Sequence, residues 1–192
     1  MRNGISAAGL SEFAHEVRHQ PEQGQADYGV TVQWLSGTRA QVRTLPMILG
    51  DQSLNRDFRW LIDEPRQLGG SNHAPNPQEY LLSAVGSCLM VAYLAGASAL
   101  GIQLSLLEID VRSELDLAGF LGTEPGAPVQ VKQITYIIRV AGDGTPEQFE
   151  ALRRAAQAHS PNAMSLATGV AVEGTLIVAD NSTDETPPTT SD

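Results

Sequence analysis

The chain has 192 residues, enough for one domain with a sizeable core and too few to require two. Its 22 acidic residues against 12 basic ones leave a net charge of −10, which argues against nucleic acid or an anionic membrane surface as a partner. The one cysteine, Cys88, excludes an intrachain disulfide and fits a reducing, cytoplasmic setting, and no basic-then-apolar leader opens the chain.

Residues 1–28 read as an N-terminal extension, helical around Glu12 to His19. From Gly29 the apolar period becomes two. Val30, Val32 and Trp34 share one strand face, Ser36-Gly37-Thr38 turns the chain, and Ala40, Val42 and Thr44 continue in a second strand. A third strand is predicted around Phe58, Trp60 and Ile62, followed by a Gly- and Pro-rich loop from Asp63 to Pro75. Asn76-Pro77-Gln78-Glu79 then announces a helix, with Asn at the cap, Pro at the first position and Glu at the third. The uncharged run from Tyr80 to Leu107 is long enough to cross a bilayer. It is interrupted by Ser83, Gly86, Ser87, Gly96, Ser98, Gly101 and Gln103, and half-buried strands elsewhere need a covering helix, so no membrane is expected. Leu107, Ile109 and Val111 alternate with charged residues as a strand, as do Ile134, Tyr136, Ile138 and Val140 after a Gly/Pro loop. Thr145-Pro146-Glu147-Gln148 opens a second helix with Phe149, Leu152, Ala156 and His159 on one stripe, stopped by Pro161. A last strand is predicted over Val170 to Val178. Strands, long helix, strands, helix and strand make an α+β domain over residues 29–179, with residues 180–192 as a disordered acidic tail.

Chemistry centres on Cys88, which is either an inert packing residue or a poised thiol. His15, His19, His73 and His159 are scattered without paired acids, so no metal site is expected. No Gly-x-Ser-x-Gly elbow, dinucleotide fingerprint or phosphate loop is present, and no cofactor is expected. Trp34 and Trp60 read as core residues.

The run Asn76-Pro77-Gln78-Glu79-Tyr80-Leu81-Leu82, leading through Gly86-Ser87-Cys88 into the long apolar helix, resembles the OsmC/Ohr family (osmotically induced and organic hydroperoxide resistance proteins). Supporting pieces are Asp63-Glu64-Pro65, Gly69-Gly70, Gly101-Ile102, Leu115-Asp116-Leu117-Ala118-Gly119-Phe120 and Ala158-His159-Ser160-Pro161, over roughly Gly29 to Val178. The resemblance implies curved antiparallel sheets wrapped around two long central helices in an intertwined homodimer, with two active sites at the subunit boundary. It further implies a thiol peroxidase in oxidative-stress defence, in which one cysteine attacks a hydroperoxide and a second closes a disulfide.

Carried over by position, Cys88 matches the peroxide-reacting cysteine, and Ser160 stands where the second cysteine belongs. Gln78 stands where the family has glutamate, with Glu79 as its neighbour; Arg39 matches the arginine, with Arg43 as the fallback. Gln78 and Glu79 lie about 14 to 15 Å along a straight helix from Cys88, so contact requires a bend, for which Gly86-Ser87 is the expected place. His73 either approaches Cys88 from the loop or is solvated. Two functions follow: a one-cysteine peroxidase that needs an external thiol reductant, or a non-peroxidase member binding a small apolar ligand in the dimer cleft.

Overall fold

The uncharged stretch forms one helix, α2 (Pro77–Ala99), and the start signals read from the sequence are all used. Asn76 Oδ1 accepts from the Glu79 amide at 2.9 Å while the Glu79 carboxylate accepts from the Asn76 amide at 2.8 Å. This reciprocal pairing, with Pro77 at the first position, satisfies amides that a helix start otherwise leaves open. The coordinates are a computed structural model and describe residues 2–179.

Val85, Leu89, Tyr93 and Ala97 recur every fourth residue and form the buried stripe of α2. Across from it lie β7 (Leu104–Ser113) and β8 (Ile134–Gly142), paired antiparallel, and α4 (Pro146–Ala158). Tyr93, Ala97, Ile102, Leu152 and Ala156 make the core, flanked by Leu107, Ile138, Val140 and Phe149. Gly96 and Gly86 permit the close approach: a Cβ on them would lie 2.9 Å from Leu152 and 3.0 Å from Val111. The Tyr93 hydroxyl donates to the Phe149 carbonyl at 3.1 Å, so the largest core side chain brings no orphaned polar group.

The N-terminal half is built differently. β2 (Val30–Ser36), β3 (Arg39–Thr44) and β6 (Arg59–Ile62) form an antiparallel sheet in the order β2-β3-β6, with Val32, Val42 and Trp60 in register on one face. Trp60 lies against Tyr80 of α2 with ring centroids 6.3 Å apart, and the Tyr80 hydroxyl donates to the Leu61 carbonyl at 2.7 Å. That contact covers the β6 side of the sheet but not its β2 edge. Val42 is 2% exposed, whereas Val32 is 58% and Trp34 73% exposed. Trp34 is therefore not a core residue, contrary to the sequence reading. A smaller sheet, β1 (Ala26–Asp27), β4 (Met47–Leu49) and β5 (Gln52–Leu54), fills a stretch where no strand was expected.

The extension contains a 13-residue helix, α1 (Ala7–His19), which begins earlier than predicted because Ser6 accepts from the Gly9 amide at 3.1 Å. Asn3 ties it down. Its amide donates to Ser98 Oγ (3.1 Å) and the Ile102 carbonyl (2.8 Å), and its oxygen accepts from the Leu104 amide (2.8 Å). Pro161 does end α4, but it also opens a further helix, α5 (Pro161–Thr168), and a short α3 (Leu117–Leu121) sits in the Gly/Pro loop.

The predicted last strand is not formed. Residues 169–179 have no regular structure, and Val172 and Ile177 are 94% and 87% exposed. A strand exists only when a neighbour takes its backbone hydrogen bonds, and no edge of this chain does so among the described residues. The expected acidic tail, residues 180–192, lies outside the described residues. Antiparallel sheets with segregated helices make the fold α+β, as the element order implied.

Candidate functional site

Cys88 is half-buried on one flank of α2. Ala92, Ala95 and Ala99 follow it at steps of four, three and four residues, so the four side chains share one stripe. The helix is unbroken from Pro77 to Ala99, and the bend expected at Gly86-Ser87 is absent. The continuous apolar segment has its buried stripe held against β7 and α4 on either side of that point, which leaves nothing to gain from a break. Gln78 is exposed and, at ten residues, about 15 Å from Cys88 along the axis. Glu79 is likewise remote, and its carboxylate is engaged at the helix cap. Neither reaches the sulfur within this chain.

Ser160 lies at the junction of α4 and α5. It is fully buried, and its hydroxyl accepts from the Ala163 amide at 3.3 Å as the N-cap of α5. The Ser160 oxygen therefore works as a helix cap. Asn162 fixes this junction on α2 by donating to the Ala84 carbonyl at 2.9 Å. That carbonyl is the one a regular helix pairs with the Cys88 amide, so α5 starts within one turn of the thiol. The end of α4 is held in turn by Tyr136, which donates to Gln157 at 2.7 Å and accepts from Arg153 at 3.0 Å.

Arg39 and Arg43 sit at odd positions of β3, on the face opposite Val42. Neither side chain makes an ion pair or hydrogen bond among the described residues, so no guanidinium of this chain is seen to bond Cys88. His73 is exposed on the loop before α2; its backbone amide donates to Asp63 at 3.1 Å, and the structure does not bring its ring to Cys88.

Asp63 is the buried charge of this region, at 1% exposure. Its carboxylate accepts from Thr38 Oγ1 at 3.0 Å and from the amides of Glu64 (2.9 Å), Ser71 (3.1 Å) and His73 (3.1 Å). Burial pushes its pKa up, but these donors, the His73 amide foremost, outweigh that and hold it below the ordinary carboxylate value. Glu64 goes the other way. Burial first, then the nearby Asp63 and Glu79 charges, push its carboxyl above the usual range, and Glu64 Oε2 is buried without a partner. The loop is tight at Gly70, where any Cβ would fall on the Glu64 backbone.

A cavity of about 730 Å³ opens further along the Cys88 stripe, walled by Ala92, Ala95 and Ala99 of α2, Ala7 and Leu10 of α1, and His159. It is apolar and wide enough for a drug-sized molecule. Sequence reasoning passed over Asn162, Thr38 and the role of Asp63. An Asp opening a Gly-rich loop is a standing signal for amide capture; Asn162 carries no comparable signal.

A family model described as OsmC-like protein matches residues 69–174, more than half of the chain. Among solved structures, the chain is similar to an OsmC-like protein from Mycoplasma pneumoniae, with a TM-score of 0.57 and 15% identity over 73% of this chain and 87% of that one. It is also similar to an OsmC-like protein of unknown function from Vibrio cholerae, with a TM-score of 0.56 and 14% identity over 72% and 92%. At these identities the likeness establishes a shared fold. No curated protein matches the chain.

Proposed function

Because the chain belongs to the OsmC-like protein family, we propose that it is a thiol-dependent peroxidase that reduces organic hydroperoxides, with Cys88 as its reactive sulfur. The observation that carries this reading is the setting of Cys88, half-buried on a helix flank rather than sealed in hydrocarbon. The thiolate attacks the terminal oxygen of the hydroperoxide. An S–O bond forms, the O–O bond breaks, and the leaving alkoxide takes a proton from solvent to become an alcohol. Ser160 cannot close a disulfide on the resulting sulfenic acid. One external thiol therefore displaces water to give a mixed disulfide, and a second releases Cys88.

Arg39, with Arg43 as the alternative, is the cation that holds the thiolate and orients the peroxide, and Gln78 supports it by hydrogen bonding. Because Tyr80 fixes the arginine-bearing sheet at the opening of α2, about two turns from Cys88, a second copy supplies this group in a homodimer. The exposed apolar faces of Val30, Val32, Trp34, Val91 and Val172 fit such an assembly, acting in the cytoplasm. A second reading, binding of a small apolar ligand without peroxide chemistry, is favoured by the cavity beside the Cys88 stripe.

Titration with cumene hydroperoxide separates the two. The wild type is expected to form an oxidised Cys88, seen by mass spectrometry, and to consume peroxide with added dithiol or monothiol, while Cys88→Ser does neither. A wild-type Cys88 that stays reduced under excess hydroperoxide removes the peroxidase reading and leaves ligand binding.

A further inference from the structure

We propose that Asp63 and Thr38 form a positioning pair that holds the β2–β3 hairpin, and with it Arg39, in register with the start of α2; this rests on the reading of Arg39 as the cation that serves Cys88. A hairpin tip is ordinarily the loosest part of a sheet. Here the tip is held from two sides. On one side the Trp34 indole donates to the Gly37 carbonyl at 2.9 Å; on the other the Thr38 hydroxyl donates to the Asp63 carboxylate at 3.0 Å. The second Asp63 oxygen takes the amides of Ser71 and His73, both on the segment that runs into the Asn76 cap. One buried carboxylate thus links the residue next to Arg39 to the backbone that leads into Gln78. The Thr38 methyl also packs near Gly69 of the same loop, since a Cβ there would lie 3.9 Å from it.

The arrangement ties the loop to a second element. The loop's own three amides fill three of the carboxylate's roughly four acceptor positions, and the remaining one is taken from the hairpin rather than from the loop. The Thr38 bond is the one that crosses to the hairpin, and it acts on no neighbour but the arginine-bearing turn. A catalytic cation displaced by an ångström loses much of its effect, so a clamp on its backbone is a functional device.

The test reads the thiol directly and uses no peroxide. Alkylation of Cys88 by iodoacetamide is followed by mass spectrometry from pH 5 to 10 in the full-length wild type, Thr38→Val, Thr38→Ser, Arg39→Ala and the double variant Thr38→Val/Arg39→Ala. Thr38→Val is expected to raise the midpoint of the pH profile and slow alkylation at neutral pH, with a loss on the order of three- to tenfold. Thr38→Ser keeps the hydroxyl and restores the wild-type profile. The double variant is no slower than Arg39→Ala alone, because the two residues act through one cation. If Thr38→Val does not fold, Thr38→Ala removes the hydroxyl without added shape and must give the same result. A Thr38 variant that lowers only the melting temperature and leaves the profile in place overturns the proposal. So do losses from Thr38→Val and Arg39→Ala that multiply, or an Arg39→Ala profile equal to wild type. A protein that obeys the alkylation pattern yet is inert to hydroperoxide loses the peroxidase reading and keeps this one.

Discussion

The two halves of the molecule bury their apolar residues in different ways. From Tyr93 to Ala156 the chain makes its own core, with Tyr93, Ala97, Leu152 and Ala156 each at 3% exposure or less. The β2-β3-β6 sheet also offers an apolar face, yet only Val42 on it is fully buried, with Trp60 and Ile62 of β6 half-covered. Its edge residues Val30, Val32 and Trp34 are 53%, 58% and 73% exposed. The C-terminal half thus closes a core of its own, while the β2 edge and the run after α5 leave apolar residues exposed. The arginine candidates belong to the half with the open edge and Cys88 to the helix that carries the closed core, so on the proposed reading a second copy brings them together.

This contrast can be broken most forcefully at Leu152. Leu152→Ala opens a cavity between α2 and α4 and is expected to cost about 2–5 kcal/mol, read as a lowered midpoint in urea. Val42→Ala, the buried residue of the other half, should cost less, about 1–3 kcal/mol, because fewer methyl groups are removed and the sheet edge can adjust. If the two losses prove equal, the halves are not as unlike as their packing indicates. Val32→Thr sharpens the comparison from the other side. In dilute protein it should change stability by no more than about 0.5 kcal/mol, since the site is exposed, while sedimentation at higher concentration shifts toward the monomer. A large stability loss in the isolated chain would contradict the exposed edge.

The smallest effect concerns Glu64. Its folded pKa lies above the ordinary value, so the penalty is in force at neutral pH, declines as pH falls through the raised pKa, and is gone below the ordinary carboxylate range. Glu64→Gln is therefore expected to raise the melting temperature by roughly 1–3 °C at pH 7, with the gain vanishing near pH 4. Asp63 has the opposite sign: its contribution is present above the ordinary carboxylate pKa and is lost as pH falls through the lowered folded one. A Glu64→Gln gain that persists unchanged at pH 4 would show that the charge is not what the fold dislikes.

Much of the local structure was legible. The Asn76 and Thr145 starts, with their reciprocal Glu79 and Gln148 partners, are written within four residues and form as read. The alternation over Ile134 to Val140 gives the half-buried face it promised. What failed did so for a common reason. The 170–178 run has a strand's composition but meets no edge, and Trp34 has a core residue's chemistry but meets no cover. The expected bend at Gly86-Ser87 rested on small residues, whereas Gly86 lets β7 approach, as Gly96 does for α4.

Amino-acid order alone was enough to locate the helix ends, the strand faces and the lone sulfur, because capping and periodicity act across a few neighbouring residues. Only the folded chain could show that Ser160 spends its hydroxyl on a cap, that Asn162 seats α5 beside Cys88, and that Asp63 joins the hairpin tip to the entrance of α2. The last two of those links join residues that lie 78 and 25 positions apart. Their partners are chosen by shape and desolvation in three dimensions, for which a linear pattern carries no record.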